Sequence, residues 1–460
     1  VKTRTFALLL FLLPSTVFAQ TPIPADLTNY VKKKDASYAW SVKDRMDNEG
    51  NKIFILQQVS QTWQGIDWKH DLLVVIPNGV KPTKTLLLWN QGGTASAGNQ
   101  ALALAIAQRV KAPVAFLFGI PNQPIQDIGG EKREDALIAE TFDRFLKTKD
   151  STWPLLFPMA KSLVRTMDTL QAFAKKEWDF DVEKFVVTGA SKRGWTSWLT
   201  AATGDSRVKA IAPLVIDTLN FREQMPNQLR SFNGKYSEMI HDYEEKGLLP
   251  LPDTDDARRL WAMVDPWVYR DSLKLPKMII NGTNDPYWAQ DALNVYWDDL
   301  KGDKYVCYVP NAGHGLRVEE EPNKLLGLPR KEQEARRGEI KMETFPTKAI
   351  NTLSAFYRHQ IDDAAMPKLD WKMTGNSGKR SLAISVDQTP RSITVWTAES
   401  DTPDFRKSKW AAKKMDVVTS CELVNEGGPK HKAMLAEFEF DYAGIKHTLC
   451  TQIAITSPKK

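Results

Sequence analysis

The sequence predicts an α/β fold: a doubly wound, mostly parallel sheet with a helical insertion, followed by a small antiparallel β domain. Three observations carry this expectation. Apolar strands alternate with helix-period segments from residue 85 to about residue 216. Short apolar runs at 278–280 and 305–309 each lead into a polar loop containing glycine, and beyond residue 368 the pattern changes to two-residue alternation. At 460 residues the chain exceeds what a single core usually organises, so two domains are expected. The larger spans 20–363, with its insertion at about 217–270, and the smaller spans 368–460 after an Ala-Ala-Met-Pro linker at 364–367.

The N-terminus stands apart. Lys2 and Arg4 precede an apolar run at 6–13, and Val17-Phe18-Ala19 supplies the small residue a signal peptidase needs, so residues 1–19 read as a cleaved secretory signal. No uninterrupted apolar stretch of about 20 residues follows, which argues against an integral membrane anchor. The expected product is soluble and either periplasmic or secreted. Apolar residues make up 42% and charged residues 26%, the balance of a globular protein. Loss of Lys2 and Arg4 lowers the formal charge from +6 to +4, and no block of like charge appears, so nucleic acid is not an expected partner. The basic run at 406–414 and the terminal Lys459-Lys460 read as solvated surface. Of three cysteines, Cys307 lies in an apolar strand as a buried thiol. Cys421 and Cys450 share the β-rich region and pair if their Cα atoms come within about 7 Å.

The elements follow in order. A short helix at 27–33 sits within the polar stretch 20–50. Strands at 52–59 and 70–76 form an antiparallel pair at the sheet edge. The strand 85–89 runs into Gln91-Gly92-Gly93-Thr94, and a helix at 101–110 leads to a strand at 113–118. Two helices present apolar stripes, one at 135–147 through Ile138, Phe142 and Phe145, the other at 159–173 through Leu163, Met167, Leu170 and Phe173. A strand then stops at Ser191, a helix at 195–203 follows, and a strand at 209–216 precedes the insertion. Helix-compatible and aromatic, residues 217–270 read as a cap over the active site. A helix at 347–361 closes the larger domain. Alternating segments at 381–385, 392–397, 415–424, 433–440 and 448–456 suggest a small antiparallel β-sandwich.

The chemistry centres on Ser191. A serine hydroxyl is a poor nucleophile at neutral pH until an imidazole takes its proton and a carboxylate orients that imidazole. Of six histidines only His314 sits in a glycine-flanked loop just after a late strand, in Asn311-Ala312-Gly313-His314-Gly315; His241, in the insertion, is its competitor. Asp285 follows the strand before it and is the expected acid, with Asp217, one strand earlier, as the alternative. An Asx turn before proline is the other reading of Asp285. The chain order Ser191, Asp285, His314 is that of the α/β-hydrolases. An oxyanion hole would come from the Lys192 amide and the Gly92-Gly93 loop. No metal or organic cofactor is required by this chemistry.

One departure concerns the turn itself. The usual elbow is G-x-S-x-G, whereas here Arg193 holds the second place after the serine and Gly194 the third. Lys192 and Arg193 are candidates for binding an anionic group of the substrate, unless they pair with carboxylates of the protein. Fifteen tryptophans raise the possibility of a sugar platform, with Trp89, Trp195 and Trp288 near the serine, although most should be core. The expected activity is cleavage of an ester or amide in a small-molecule or peptide substrate. Two alternatives stay open: a non-catalytic binding or signalling protein on the same scaffold, and a peptidase for cationic peptides, which would use Glu244, Glu245, Asp253, Asp255 and Asp256 to line the cap.

Five segments carry a resemblance: Trp153-Pro154, Pro158-Met159-Ala160-Lys161, Arg165-Thr166-Met167-Asp168, Gly189-Ala190-Ser191-Lys192-Arg193-Gly194-Trp195, and Asp265-Pro266 with Tyr269. With Asp404-Phe405-Arg406 in the tail, the chain resembles the PhoPQ-activated pathogenicity-related proteins over nearly its whole mature length. The resemblance implies an exported α/β-hydrolase-like protein with a C-terminal β domain, and implies no substrate. It matches Ser191 to the family's elbow serine and makes the Lys-Arg-Gly that follows a family feature. After the acid the family leads one to expect a second acidic residue and then two aromatics, whereas this chain has Pro286 before Tyr287-Trp288.

Overall fold

Nine strands form one sheet in the computed structural model, which describes residues 23–125 and 130–458; the proposed leader at 1–19 lies outside the described residues. The spatial order is β1 (Ala39–Asn48), β2 (Asn51–Trp63), β3 (Ile66–Ile76), β5 (Val114–Leu117), β4 (Thr85–Asn90), β6 (Lys184–Ala190), β7 (Val208–Leu214), β8 (Lys277–Gly282) and β9 (Lys304–Val309). β1 to β3 form an antiparallel meander joined antiparallel to β5, and from β5 to β9 every pairing is parallel. This is the mostly parallel α/β-hydrolase sheet. The expected edge pair is β2 with β3. β1 escaped the sequence reading because most of its side chains are exposed, so it carries no apolar period.

Alternation along the strands divides the core in two. Leu86, Leu88, Val187 and Ile211 point to the face covered by α4 (Leu156–Trp178) and α5 (Lys192–Ala202); Leu87, Trp89, Val186 and Ala210 point to the face covered by α2 (Ala97–Val110) and α10 (Thr347–Ile361). α1 (Asp26–Lys32) packs on α4. The motif residues along α4 have structural employment. Lys161 is buried, 3.6 Å from Asp35 and over the Tyr30 ring, while Asp168 receives both Arg165 and Arg207. Trp153 meets Trp63 edge to face at 5.8 Å.

Between β7 and β8 the chain leaves the sheet through α6 (Phe221–Ser231), α7 (His241–Glu245) and α8 (Asp255–Val264), with one 3₁₀ turn just before α7 and another just after α8. α7 and α8 pack against α3 (Glu134–Thr148). After β9 a long connection containing α9 (Arg330–Arg336) returns to α10.

The C-terminal part is two antiparallel sheets. One has the order β10 (Leu369–Asn376), β11 (Lys379–Val386), β14 (Ser420–Glu426); the other runs β13 (Ala411–Met415), β12 (Ser392–Ser400), β15 (His431–Tyr442), β16 (Ile445–Cys450), with β17 (Ala454–Thr456) also on β15. The expected strand at 415–424 is two strands, because residues 416–419 carry the chain from one sheet to the other. That crossing also places Cys421 and Cys450, offered as a conditional pair, on different sheets. Cys421 lies on β14 and Cys450 ends β16, where the Tyr308 amide donates to its sulfur at 3.3 Å, and all three cysteines are free. β16 lies against β9, covering what would otherwise be the open edge of the large sheet.

Candidate active site

Ligands of open α/β sheets bind beyond the carboxyl ends of the strands, where the strand order reverses. Here β5 lies on one side of β4 and β6 on the other, so that point falls between β4 and β6. The loops leaving those two strands carry Gly92-Gly93 and Ser191. Ser191 has φ 57° and ψ −128°, a conformation an L-residue holds only under strain, which lifts its side chain clear of the sheet. Its own amide donates to Leu214 O at 2.8 Å. Lys192 is the first residue of α5, so its amide has no partner within the helix. The displaced glycine has a steric reason. A Cβ on Gly194 would lie 2.7 Å from Ile216 Cγ2 and 2.9 Å from Gly189 O, so α5 approaches β6 and β7 too closely for any side chain there.

Asp285 and His314 come from the loops after β8 and β9. Asp285 is 3% exposed; its Oδ2 lies 2.8 Å from His314 Nδ1, and its Oδ1 accepts the Tyr287 amide at 3.0 Å. One oxygen makes the Asx turn and the other meets the histidine, so the turn leaves Asp285 able to contact His314. The Tyr287 ring lies 4.2 Å from the His314 ring and also walls the cleft that holds Ser191. The other histidines are engaged elsewhere. Burial pushes His70 and His447 down to about 4, and His241 is exposed, with Nδ1 on Glu238 O at 2.9 Å and outside the cleft lining.

Asp217, the alternative acid, sits in a small buried chamber with Asn281, Gln290 and Tyr308, beside Asp285. Burial pushes its carboxyl up to about 7, against a hydrogen bond from Tyr296 and with help from the nearby Asp285 charge. A carboxyl raised in this way is protonated in the folded chain while already ionised in the unfolded one. Stability therefore falls as pH rises from about 4 to about 7 and is level above that. Asp217→Asn keeps an oxygen for Tyr296 and removes the ionisation. Its melting temperature relative to the parent should rise across pH 4 to 7, by the equivalent of a few kcal/mol; a pH-independent difference would refute the assignment.

The two cations after Ser191 are neutralised within the protein. Lys192 Nζ lies 2.9 Å from Glu134 Oε2 and 3.2 Å from Asp135 Oδ2, and Arg193 makes a two-pronged contact with Glu134 at 2.8 Å while its Nε donates to Ile120 O. Burial would raise Glu134, but Arg193 and Lys192 overcome it and hold the carboxyl at about 2. Arg193 thus acts as a strut rather than a free anion receptor. Gly92 accommodates it, since a Cβ there would meet the Arg193 guanidinium at 2.5 Å.

A cleft enclosing about 590 Å³, part of it open to solvent, begins at Ser191 and Lys192 and runs under the insertion. Trp288 lines it, as the sequence suggested; Trp89 does not. Strand parity turns Trp89 to the opposite face of the sheet, where it stacks on Phe116 at 5.2 Å. The acidic residues offered for a cationic peptide are elsewhere too: Asp253 and Asp255 pair with Arg258, Asp256 pairs with Lys149, and Glu244 and Glu245 are exposed outside the cleft lining.

Some site residues carried no sequence signal. Asn284 donates through Nδ2 to the carbonyls of Phe405, Arg406 and Ser408, and Asn323 Nδ2 donates to Arg406 O at 2.8 Å. Arg406, expected on the surface, is 8% exposed: it grips Asp404 and Glu238, lies over the Phe232 ring at 3.9 Å, and reaches Pro286 O at 3.3 Å. The C-terminal segment therefore braces the loop that bears Asp285. Only the Asp404-Phe405-Arg406 motif pointed there.

Known proteins resemble the chain in sequence and, more distantly, in structure. A family model described as PhoPQ-activated pathogenicity-related protein matches residues 27–335 and 339–406. Autocrine proliferation repressor protein A of Dictyostelium discoideum is 30% identical over 421 residues, covering 87% of this chain and 79% of that protein. Among solved structures, acetyl xylan esterase 1 from Thermoanaerobacterium sp. JW/SL YS485 is 15% identical with a TM-score of 0.45, over 64% of this chain and 89% of that one. An acetyl xylan esterase from Paenibacillus sp. R4 is 15% identical with a TM-score of 0.42, over 68% and 91%. Among the described residues no helix is long and apolar enough to cross a membrane.

Proposed function

The chain belongs to the PhoPQ-activated pathogenicity-related protein family, and on that premise we propose that it is an exported serine hydrolase cleaving an ester or amide through an acyl-enzyme. The observation that carries the reading is the 2.8 Å contact of Asp285 Oδ2 with His314 Nδ1, together with a serine held in strained elbow geometry whose cleft is walled by the Tyr287 ring that lies on His314. Ser191 Oγ attacks the carbonyl carbon as His314 Nε2 takes its proton. Asp285 holds the Nδ1 proton, fixing the tautomer that leaves Nε2 free to accept. The negative oxygen of the tetrahedral intermediate is held by the Lys192 amide and an amide of the Gly92-Gly93 loop. His314 then gives its proton to the leaving group, and water, activated by the same imidazole, releases the acyl group and restores the serine. Export is supported by Lys2, Arg4, the apolar run after them and Ala19.

A fluorophosphonate probe tests the reading. The parent protein should be labelled at one site and Ser191→Ala should not be labelled at all. An unlabelled parent that is correctly folded would favour the alternative of a non-catalytic protein on a hydrolase scaffold.

A further inference from the structure

We propose that the cleft beside Ser191 is an acyl pocket selecting an uncharged, apolar chain of medium length; this rests on the hydrolase reading above. The walls are apolar: Trp195, Phe221, Met225, Leu249, Leu251 and Trp288 face the space that opens from the serine. Most polar atoms around it are engaged within the protein, the Thr218 and Tyr287 hydroxyls being among the exceptions. The Tyr243 hydroxyl donates to Asp135 at 3.2 Å, Trp195 Nε1 donates to Val264 O at 2.6 Å, and Trp288 Nε1 donates to Val215 O at 3.3 Å. Trp261 Nε1 lacks a partner but is sealed beneath the cleft surface. A sugar or a polar acyl group would give up its water and find few replacement hydrogen bonds.

Charge points the same way. Lys192 and Arg193 are balanced by Glu134 and Asp135 at the mouth, so an acidic acyl group meets no net positive charge. The position of the histidine decides which half of the substrate enters. The leaving group has to lie where His314 can protonate it, and His314 is not among the residues lining this cleft. The group that fills the cleft is therefore the acyl half. The apolar walls continue from the serine well past the reach of an acetyl group, so a chain of several carbons is needed to cover them. An acetyl group would leave the cleft nearly empty.

The test is a series of p-nitrophenyl esters from acetate to dodecanoate on the purified protein, kept below their micelle concentrations. We expect kcat/KM to climb roughly fourfold per added methylene and to peak on a chain longer than butyrate. Leu251 is half-buried at the wall, so Leu251→Trp should shift the peak to shorter chains and lower the octanoate-to-acetate ratio at least tenfold. A best rate on acetate, a preference for a succinate half-ester over butyrate, or a Leu251→Trp profile that overlays the parent would each overturn the acyl-pocket assignment. If fluorophosphonate labels Ser191 and no chain length is turned over, the pocket assignment fails while the nucleophile stands. If there is neither labelling nor turnover, the hydrolase reading itself has failed.

Discussion

Ser191→Ala should lower kcat on a good ester substrate by on the order of 10⁶-fold, and His314→Ala should lower it by about as much. The two losses should not add. Once the serine is gone there is no hydroxyl for the imidazole to deprotonate, and once the imidazole is gone the hydroxyl is too weak a nucleophile to attack. The double variant should therefore match either single one. What remains should be a residual rate, about 10³ to 10⁴ above water, from the backbone amides of Lys192 and the Gly92-Gly93 loop and from binding in the cleft. Single-turnover and steady-state rates on the three variants measure this. Losses that multiply would mean that Ser191 and His314 act independently, and the triad would have to be abandoned.

Asp285→Asn should lower kcat by on the order of 10⁴-fold with the fold intact. The size of this effect follows from the Asx turn. The Tyr287 amide needs an acceptor, so the oxygen of the new asparagine must take the place of Asp285 Oδ1. The NH₂ group then faces His314 Nδ1. A donor there moves the histidine proton to Nε2, the atom that must be free to receive the proton from Ser191. Asp217 cannot stand in, because Tyr296 holds it and burial raises its carboxyl to about 7, which disfavours the anion that His314 needs. Unchanged circular dichroism with a kcat loss below about 30-fold would show that His314 does not rely on Asp285.

Much of this arrangement was legible in the chain because strands, elbow and loops leave local signatures. Ser191, Asp285 and His314 each follow a short buried strand, and β6, β8 and β9 end where the apolar runs end. Trp89 was misplaced because proximity along the chain outweighed parity: alternate residues of β4 face opposite cores, and Trp89 shares the side of Leu87. That Lys192 and Arg193 pair with carboxylates was one of the two readings, but their partners were not legible, since Glu134 and Asp135 are more than fifty residues away and only the fold brings them together. The Trp153 to Asp168 stretch is as distinctive as the elbow, yet its Lys161 and Asp168 serve ion pairs that hold α4 in place. A distinctive sequence can mark a packing solution as readily as a reacting group.

The brace on the acid loop has a consequence in time. Asn284, next to the acid, finds its hydrogen-bond acceptors at Phe405, Arg406 and Ser408, more than a hundred residues downstream. A chain made or threaded from its N-terminus completes the nucleophile strand first and the histidine loop later. The loop carrying the acid gains its outer support only after the segment through Ser408 has folded against it. Maturation therefore has a built-in order, in which the nucleophile is present long before the machinery that would make it reactive is fully held.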